Sequence, residues 1–489
     1  MKEKVKEDKE KDNKGITVKK NENFSEWYTQ VVQKCELADL RYNVKGFLVF
    51  QPWSVLAMEK MYKYLENVLQ KKGHKPYWFP TVIPEKNFKI EGEHVKGFSP
   101  EVFWVTEAGN GKIEEKLALR PTSETAFYQM FSLWIRSYKD LPFKTYQRAN
   151  VFRYETKATR PFLRSREFHW IEAHCAHATK EDAMKQVHED METTKEVLHD
   201  IFGLPFMFFE RPSWDKFPGA DRTFAADVLN PDGRVVQQPS THLLSQDFSK
   251  GFNVSFKDKD GKDKLAWITC YGPAISRIFA SVVIVHGDDK GLRFPWGIAQ
   301  LQVVIVPISD DEKLIKKARE LKEEIEKIAS VEVDLSEKSA GEKFNYWEMK
   351  GVPIRIDIGL KDLEKRQLTV FRRDINKKEL IDEKELIKYI DKVAKESTKN
   401  LIKQADKIFE NRIKDVKNLN EMKRTIESGH IVRCAFCSVG KEGEKCAEII
   451  EKEVGAQVRG TNFDKEKAKD KCVICGKEGK EIVYVAKAY

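Results

Sequence analysis

"REFHWIEAH", residues 166–174, is the stretch that decides how this chain is read. In a strand, successive side chains point to opposite sides. Arg166, Phe168, Trp170, Glu172 and His174 then share one face, and His169, Ile171 and Ala173 share the other. Cation, aromatic rings, acid and imidazole stand together on one rigid surface. The earlier segment "VFRYETK", residues 151–157, alternates in the same way, with Arg153 and Glu155 on one side and Phe152 and Tyr154 on the other. The loop "ATRPFLRSR" leads back into the opening stretch, which predicts an antiparallel pair with coincident polar faces. Arg153, Arg164 and Arg166 would surround one spot with Glu155 and Glu172. Guanidinium forks match phosphate oxygens bidentately. An ion pair on an exposed strand is the plain alternative; three arginines converging on one place argue against it.

The rest of the chain sets the frame. Its 489 residues suffice for two to four domains. A net charge of +9 fits a polyanionic partner but would not establish one at this length. No run of eighteen apolar residues occurs, so no membrane span is expected. "MKEKVKEDKEKDNKG" has no apolar core for a secretory signal, and residues 1–22 read as a disordered charged tail of a cytoplasmic protein. Residues 23–300 are dense in aromatics and short strands. Residues 301–382 alternate strands with helices, which predicts a small α/β domain. There, "DDEKLIKKARELKEEIEKIA" places Leu314, Ala318, Leu321, Ile325 and Ile328 on one helical stripe. Residues 383–489 begin with a long helix carrying Leu386, Ile390, Val393, Leu401, Ala405 and Ile408 on one side. They end in a tail where Cys434, Cys437, Cys446, Cys472 and Cys475 crowd together. Without a secretory signal, such a cluster reads as metal before disulfide. From spacing alone, Cys434-x-x-Cys437 with Cys472-x-x-Cys475 is the obvious four-thiol set.

The Arg-x-Glu strand, the loop and the "RPFLRSREF" return strand resemble motif 2 of the class II aminoacyl-tRNA synthetases. The stretch "PYWFPTVIP", residues 76–84, looks like their motif 1, a dimer-interface element. "CYGPAISRIFASVVIVHGD", residues 270–288, looks like motif 3. "RPTSETAFY" (120–128), "WDKFPGAD" (214–221), "QQPSTHLL" (237–244) and "REFHWIEAHCAHAT" narrow the resemblance to prolyl-tRNA synthetases of the archaeal and eukaryotic type, across nearly the whole chain. Fewer than a hundred residues separate "HCAHAT" from motif 3, so the large editing insertion of the common bacterial type is absent there.

The resemblance implies an α/β and α+β multidomain fold: an antiparallel-sheet catalytic domain, an α/β anticodon-binding domain and a small C-terminal zinc-binding domain. It implies proline activation with ATP and transfer of the prolyl group to tRNA(Pro). Proline is an apolar ring with a secondary ammonium and a carboxylate, so its pocket must be both aromatic and acidic. Trp170 and Phe217 would wall the ring, Thr122, Glu124 and Glu172 would receive the ammonium, and His174 and His242 would complete the pocket. Arg153 would bridge the proline carboxylate and the α-phosphate, Arg164 would reach the distal phosphates, and Arg277 would cover the nucleotide. Glu155, His169, Trp170, Gln237 and Ser240 complete the expected ATP contacts; Gln238 is the alternative to Gln237, and Thr241 to Ser240, which parity with His242 favours. Glu155 and Gln237 are the expected magnesium ligands; Arg153, Glu155 and Arg277 are the expected catalytic residues. Threonyl enzymes of this class hold a catalytic zinc in the amino-acid pocket, and no Cys/His set in residues 100–290 offers that spacing.

On the RNA side, "EKFNYWEMKGVPIRIDIGLKDLEKRQLTVFRRD", residues 342–374, resembles the class IIa anticodon-binding domain. Trp347 would stack on a base, Glu348 and Asp362 would accept from guanine edges, and Lys361, Arg372 and Arg373 would meet phosphates. For the metal, the family tail matches "FCS" and "CAEII". The implied ligands of a structural zinc are then Cys437, Cys446, Cys472 and Cys475, with Cys434 spare. "VYVAKAY" matches the family's C-terminus, which packs back near the catalytic domain. A homodimer through the motif 1 region is implied as well.

Overall fold

The computed structural model describes residues 15–94, 101–156 and 158–489. Most of the expected tail, residues 1–14, lies outside them. Residues 15–22 depart from the expected disorder. The Thr17 amide donates to Gln30 Oε1 at 2.8 Å, and Lys20 Nζ donates to the carbonyls of Val285 and Gly287. The reason is local: the last carbonyls of the helix Ile275–His286 need donors, and a lysine at a helix C-terminus supplies them. Among the described residues no helix is long and apolar enough to cross a membrane.

The contacts divide the chain into two units. The larger holds Tyr42–Leu48, Met58–Ser281 and Ile402–Tyr489. It is organised by an eleven-stranded sheet of described strands. The expected hairpin sits in it as Phe143–Phe152 and Glu167–His177, antiparallel, with Thr145 opposite His174, Gln147 opposite Glu172 and Ala149 opposite Trp170. The small or uncharged residues 145, 147 and 149 share the face of Trp170 and Glu172, which leaves room above the sheet. Arg153 continues that parity, and its amide donates to the Arg166 carbonyl at 2.8 Å, extending the ladder past the strand ends.

Trp267–Tyr271 pairs with the return strand, Arg234–Leu244 with that, and Ala220–Leu229 and Met207–Glu210 follow. The C-terminal segment then joins the same sheet. Gln457–Asn462 pairs with Met207–Glu210, and Glu481–Ala488 runs parallel to Arg234–Leu244 at its start. The helix Glu124–Trp134 buries Phe127, Tyr128 and Phe131, and Ser123, just before its first residue, donates its amide to Glu172.

The smaller unit holds the residues up to Arg41, Val49–Ala57 and Val282–Leu401. Its five-stranded sheet runs Val331–Val333, Val303–Pro307, Ile354–Ile358, Gln367–Arg372, Lys377–Asp382, the first three strands parallel. Leu314, Ala318, Leu321 and Ile325 pack on it with Leu386, Ile390 and Val393. Two stripe positions miss the core. The helix ends at Ile325, so Ile328 falls beyond it and is 46% exposed; Ile408 is 62% exposed near the end of the long helix Leu386–Glu410.

Candidate active site and metal centre

A cavity of about 230 Å³ lies on the sheet face prepared by the hairpin. Phe168, Trp170, Glu172 and His174 line it from one strand, as period two demands, together with Arg153 and Arg277. Thr122, Glu124, Phe217, Gln237, Ser240 and His242 complete the expected residues along its wall. Glu155 and Arg164 are not in the lining but stand beside it, 4.0 Å from each other, with their charges acting on Arg277. His169 is not in the lining. Alternation carries it to the other side of the sheet, toward the charges of Glu167, Arg148 and Glu59. Arg166 also misses the cavity: its guanidinium covers the Tyr154 ring and donates to the Glu155 carbonyl.

One end of the cavity is acidic and aromatic. Glu172 is buried, and its carboxylate accepts from the Ser123 amide and hydroxyl, both at 3.0 Å. The helix N-terminus thus offsets the charge of Glu172. Glu124 has the Thr122 hydroxyl as its donor, and burial pushes its carboxyl above the ordinary carboxylate range. His174 is braced by the Tyr128 hydroxyl at 3.0 Å and faces Glu172 at 3.4 Å. His242 lies 4.8 Å from the Phe217 ring, with Thr223 and Ser240 hydroxyls at 3.0 Å on its two nitrogens. Burial, with the charge of Arg211, pushes it down to about 3, so it is neutral. The Trp170 ring is set by Gly272, where an added Cβ would come within 2.5 Å of the indole. Among the described residues, the buried indole N–H has no partner.

The other end is cationic. Arg153 donates to the Pro121 carbonyl at 3.0 Å, and its guanidinium stands 5.3 Å from the Phe168 and Trp170 ring centres. Arg277 donates to the carbonyls of Leu163 and Gln237. Burial and the neighbouring charges of Arg153 and Arg164 lower its pKa to about 10. Among the described residues, neither arginine forms an ion pair. Gln238 also reaches the cavity wall, whereas Thr241 points away and bonds Asp190 at 2.7 Å.

Sequence reasoning missed the braces. Ser123 and Tyr128 stand inside the quoted "RPTSETAFY", and the helix-start pattern there was the signal. Arg211 lines the cavity from just outside the quoted "WDKFPGAD".

In the C-terminal segment, the thiols of Cys437, Cys446, Cys472 and Cys475 all lie within 4.8 Å of one another. Cys434 stands outside this group, in the strand Ile431–Phe436 opposite Val483. A tetrahedral ion with metal–sulfur bonds of about 2.3 Å sets its sulfurs about 3.8 Å apart. The Cys437–Cys446 separation is 3.7 Å. The four thiols fit a metal ion.

On the α/β sheet the expected anticodon residues do not converge. Trp347 and Glu348 stand near the end of the helix Ala340–Lys350, before the strand Ile354–Ile358; Lys361 and Asp362 come after that strand. Trp347 is half-buried against Trp53 and bonds Asp334 at 2.8 Å. Glu348 binds Arg355 and Lys290, both at 3.0 Å, and Asp362 caps Gly359. Lys361 is exposed. Arg372 and Arg373, expected at phosphates, are buried against Asp374 and Asp288 and so are already neutralised.

Residues 103–286 match the tRNA synthetase class II core domain (G, H, P, S and T), and residues 302–393 match the anticodon binding domain. Fold and cavity together define a class II tRNA synthetase. Residues 419–489 match the prolyl-tRNA synthetase C-terminal domain. A proline–tRNA ligase of Thermofilum pendens is 50% identical over 97% of this chain and 99% of its own. Giardia lamblia prolyl-tRNA synthetase in complex with prolyl-adenylate superposes with a TM-score of 0.94 at 36% identity, covering 97% of this chain and 100% of that one. The Cryptosporidium parvum enzyme complexed with L-proline and AMP gives 0.91 at 32%, covering 98% and 97%. The chain belongs to the prolyl-tRNA synthetase family, and its reaction is the ATP-driven ligation of proline to tRNA.

Proposed function

We propose that the cavity holds L-proline at its acidic end and ATP at its cationic end. The observation that carries this is the convergence of Arg153, Trp170, Glu172 and Arg277 on one cavity. Trp170 and Phe217 wall the ring; Glu124, Glu172 and Thr122 receive the secondary ammonium; His174 and His242 close the pocket. Glu124, raised by burial, regains a counter-charge when the ammonium enters. Arg153 holds the proline carboxylate against the α-phosphate, Arg277 covers the nucleotide, and Arg164 reaches the distal phosphates. The carboxylate attacks the α-phosphorus, pyrophosphate leaves, and the tRNA's terminal hydroxyl then attacks the adenylate carbonyl. Positioning and neutralised charge carry such displacements. Ser240 and Trp170 are further nucleotide contacts.

Glu155, beside the cavity, would meet a magnesium ion carried by the triphosphate, and the ion would offset phosphate charge there. A single protein carboxylate suits an ion that keeps its waters and phosphates. The Gln237 side-chain oxygen already accepts from Arg211 at 3.0 Å, so Gln237 offers its NH₂ group instead. Cys437, Cys446, Cys472 and Cys475 would hold a zinc whose role is structural, since four thiolates leave no open position. Residues 23–300 are the catalytic domain, 301–382 read the anticodon of tRNA(Pro), and 383–489 form the linker helix and zinc-binding domain. Trp347, Glu348, Lys361 and Asp362 remain the candidate RNA contacts, Lys361 the most available. A homodimer forms through residues 76–84, where Trp78 is 90% exposed. A tRNA substrate supports a cytoplasmic location.

The test is ATP–pyrophosphate exchange with each amino acid in turn. Exchange driven by proline is expected; exchange driven by another amino acid, or by none, would overturn the reading.

A further inference from the structure

We propose that Arg459, far along the chain in the C-terminal segment, is a positioning residue for the nucleotide, acting through Asp227 and Arg211 on Gln237. The proposal rests on the reading that ATP lies against Gln237.

The strand Gln457–Asn462 is bulged between Val458 and Gly460. Gly460 has φ +124°, and a Cβ there would come within 2.0 Å of the Glu210 carbonyl, so only glycine permits this approach. Bulges re-aim side chains beside active sites. Here the bulge turns Arg459 into the sheet. Its Nε donates to Asp227 Oδ2 at 2.6 Å and its Nη2 to Oδ1 at 3.2 Å. Arg211 grips the same carboxylate from the other side, at 2.8 and 3.2 Å, and donates to the Arg459 carbonyl at 2.8 Å. All three side chains are almost entirely buried.

Arg211 is thereby fixed, and its Nη2 donates to Gln237 Oε1 at 3.0 Å. A guanidinium can only donate, so the amide oxygen must face it. The NH₂ group of Gln237 is then the end left for the cavity, where a phosphate oxygen can accept from it. The Gln237 backbone carbonyl receives Arg277 at 3.3 Å, so the same residue also holds the arginine over the nucleotide. Two arginines share one carboxylate, and the only further acid on Arg211 among the described residues is Asp215, half-exposed at 3.8 Å. Without Arg459, Asp227 is free to tilt, Arg211 loses its fixed position, and the amide can flip its oxygen toward the phosphates.

The experiment is a double-mutant cycle of Arg459→Ala and Gln237→Ala in the full-length protein, read as KM for ATP, KM for proline and kcat in pyrophosphate exchange. Arg459→Ala is expected to raise KM for ATP by about tenfold, the usual size of coupling between residues in one buried network. KM for proline should stay unchanged, and the ATP effect should vanish in the Gln237→Ala background. If Arg459→Ala does not fold, Arg459→Lys, which keeps the buried charge but not the fork, takes its place in the cycle. Equal losses for ATP and proline, or additive effects in the cycle, would overturn the proposal. A wild-type protein that shows no proline-dependent exchange would instead overturn the reading on which it rests.

Discussion

The cavity on the large sheet and the paired arginines around the α/β sheet both stand among acids and tryptophan, yet they use their charge in opposite ways. In the cavity, Arg153 and Arg277 are half-buried, and among the described residues only carbonyl oxygens accept from them. On the α/β sheet, Arg355 meets Asp357 and Glu348, Arg372 meets Asp374 and Glu396, and Arg373 meets Asp288. The first arrangement waits for an anion from outside. The second has found its anions within the fold and serves stability. Charge that lacks a counter-charge marks an ionic site; charge density alone does not.

The largest effect expected from this contrast is on stability, at the paired face. Arg373 is 1% exposed and holds Asp288 through two bonds of 2.6 and 2.7 Å. Arg373→Ala leaves that carboxylate without its main partner and should cost about 3–5 kcal/mol. Urea unfolding measures it. A loss below about 1 kcal/mol, the level of an exposed pair, would dissolve the contrast.

Arg153→Ala is the mirror image. It removes a cation with no ionic partner among the described residues, so unfolding should change little. Transition-state stabilisation should fall by about 3 kcal/mol, as for a lost oxyanion donor, or more than a hundredfold in exchange. A variant that loses stability and keeps its rate would place Arg153 with the paired arginines.

How much of this was legible follows from the same physics. The hairpin was, because period two on a rigid strand fixes which side chains share a face: residues 168, 170, 172 and 174 line the cavity, and His169 turns away. The α/β face was not. Sequence displays Arg373 and Trp347 but not Asp288 or Asp334, which reach them from other elements. The cysteines show the same limit. Spacing favours the pair Cys434 and Cys437, yet Cys434 is buried within a strand, and Cys446 reaches the cluster from the first turn of the helix Glu444–Val454. Arg211, Asp227 and Arg459 meet from three distant segments, and only the "RG" step at residues 459–460 hints at the bulge that joins them.

A smaller effect sharpens the aromatic half of the cavity. Gly272→Ala pushes a methyl group into the space of the Trp170 indole. Overpacking of this kind costs about 1–3 kcal/mol. The expected outcome is a raised KM for proline with exchange still measurable at saturation. An unchanged KM would remove Trp170 from the pocket wall.

The last contrast is in pH. His242 is held down to about 3 by burial and the charge of Arg211, against about 6.5 for an unfolded histidine. Between those values the unfolded chain takes up a proton that the native cavity refuses, so stability falls as pH drops below 6.5. One such group accounts for at most about 1.4 kcal/mol per pH unit, hence about 2 kcal/mol by pH 5. Asp288 behaves differently. Burial alone would raise its carboxyl, but the hydrogen bonds and charge of Arg373 and the charge of Arg293 hold it well below the usual range. Its contribution is complete above about pH 4 and is lost only as pH falls further. The tests are differences from wild type, because burial lowers His74 and His177 in the same way and raises Asp190. His242→Gln should lessen the stability lost between pH 6.5 and pH 5 by about 2 kcal/mol, and Asp288→Asn should lessen only the loss below about pH 4. If both substitutions act over the same pH range, the cavity and the paired arginines do not differ in the way their charges are held.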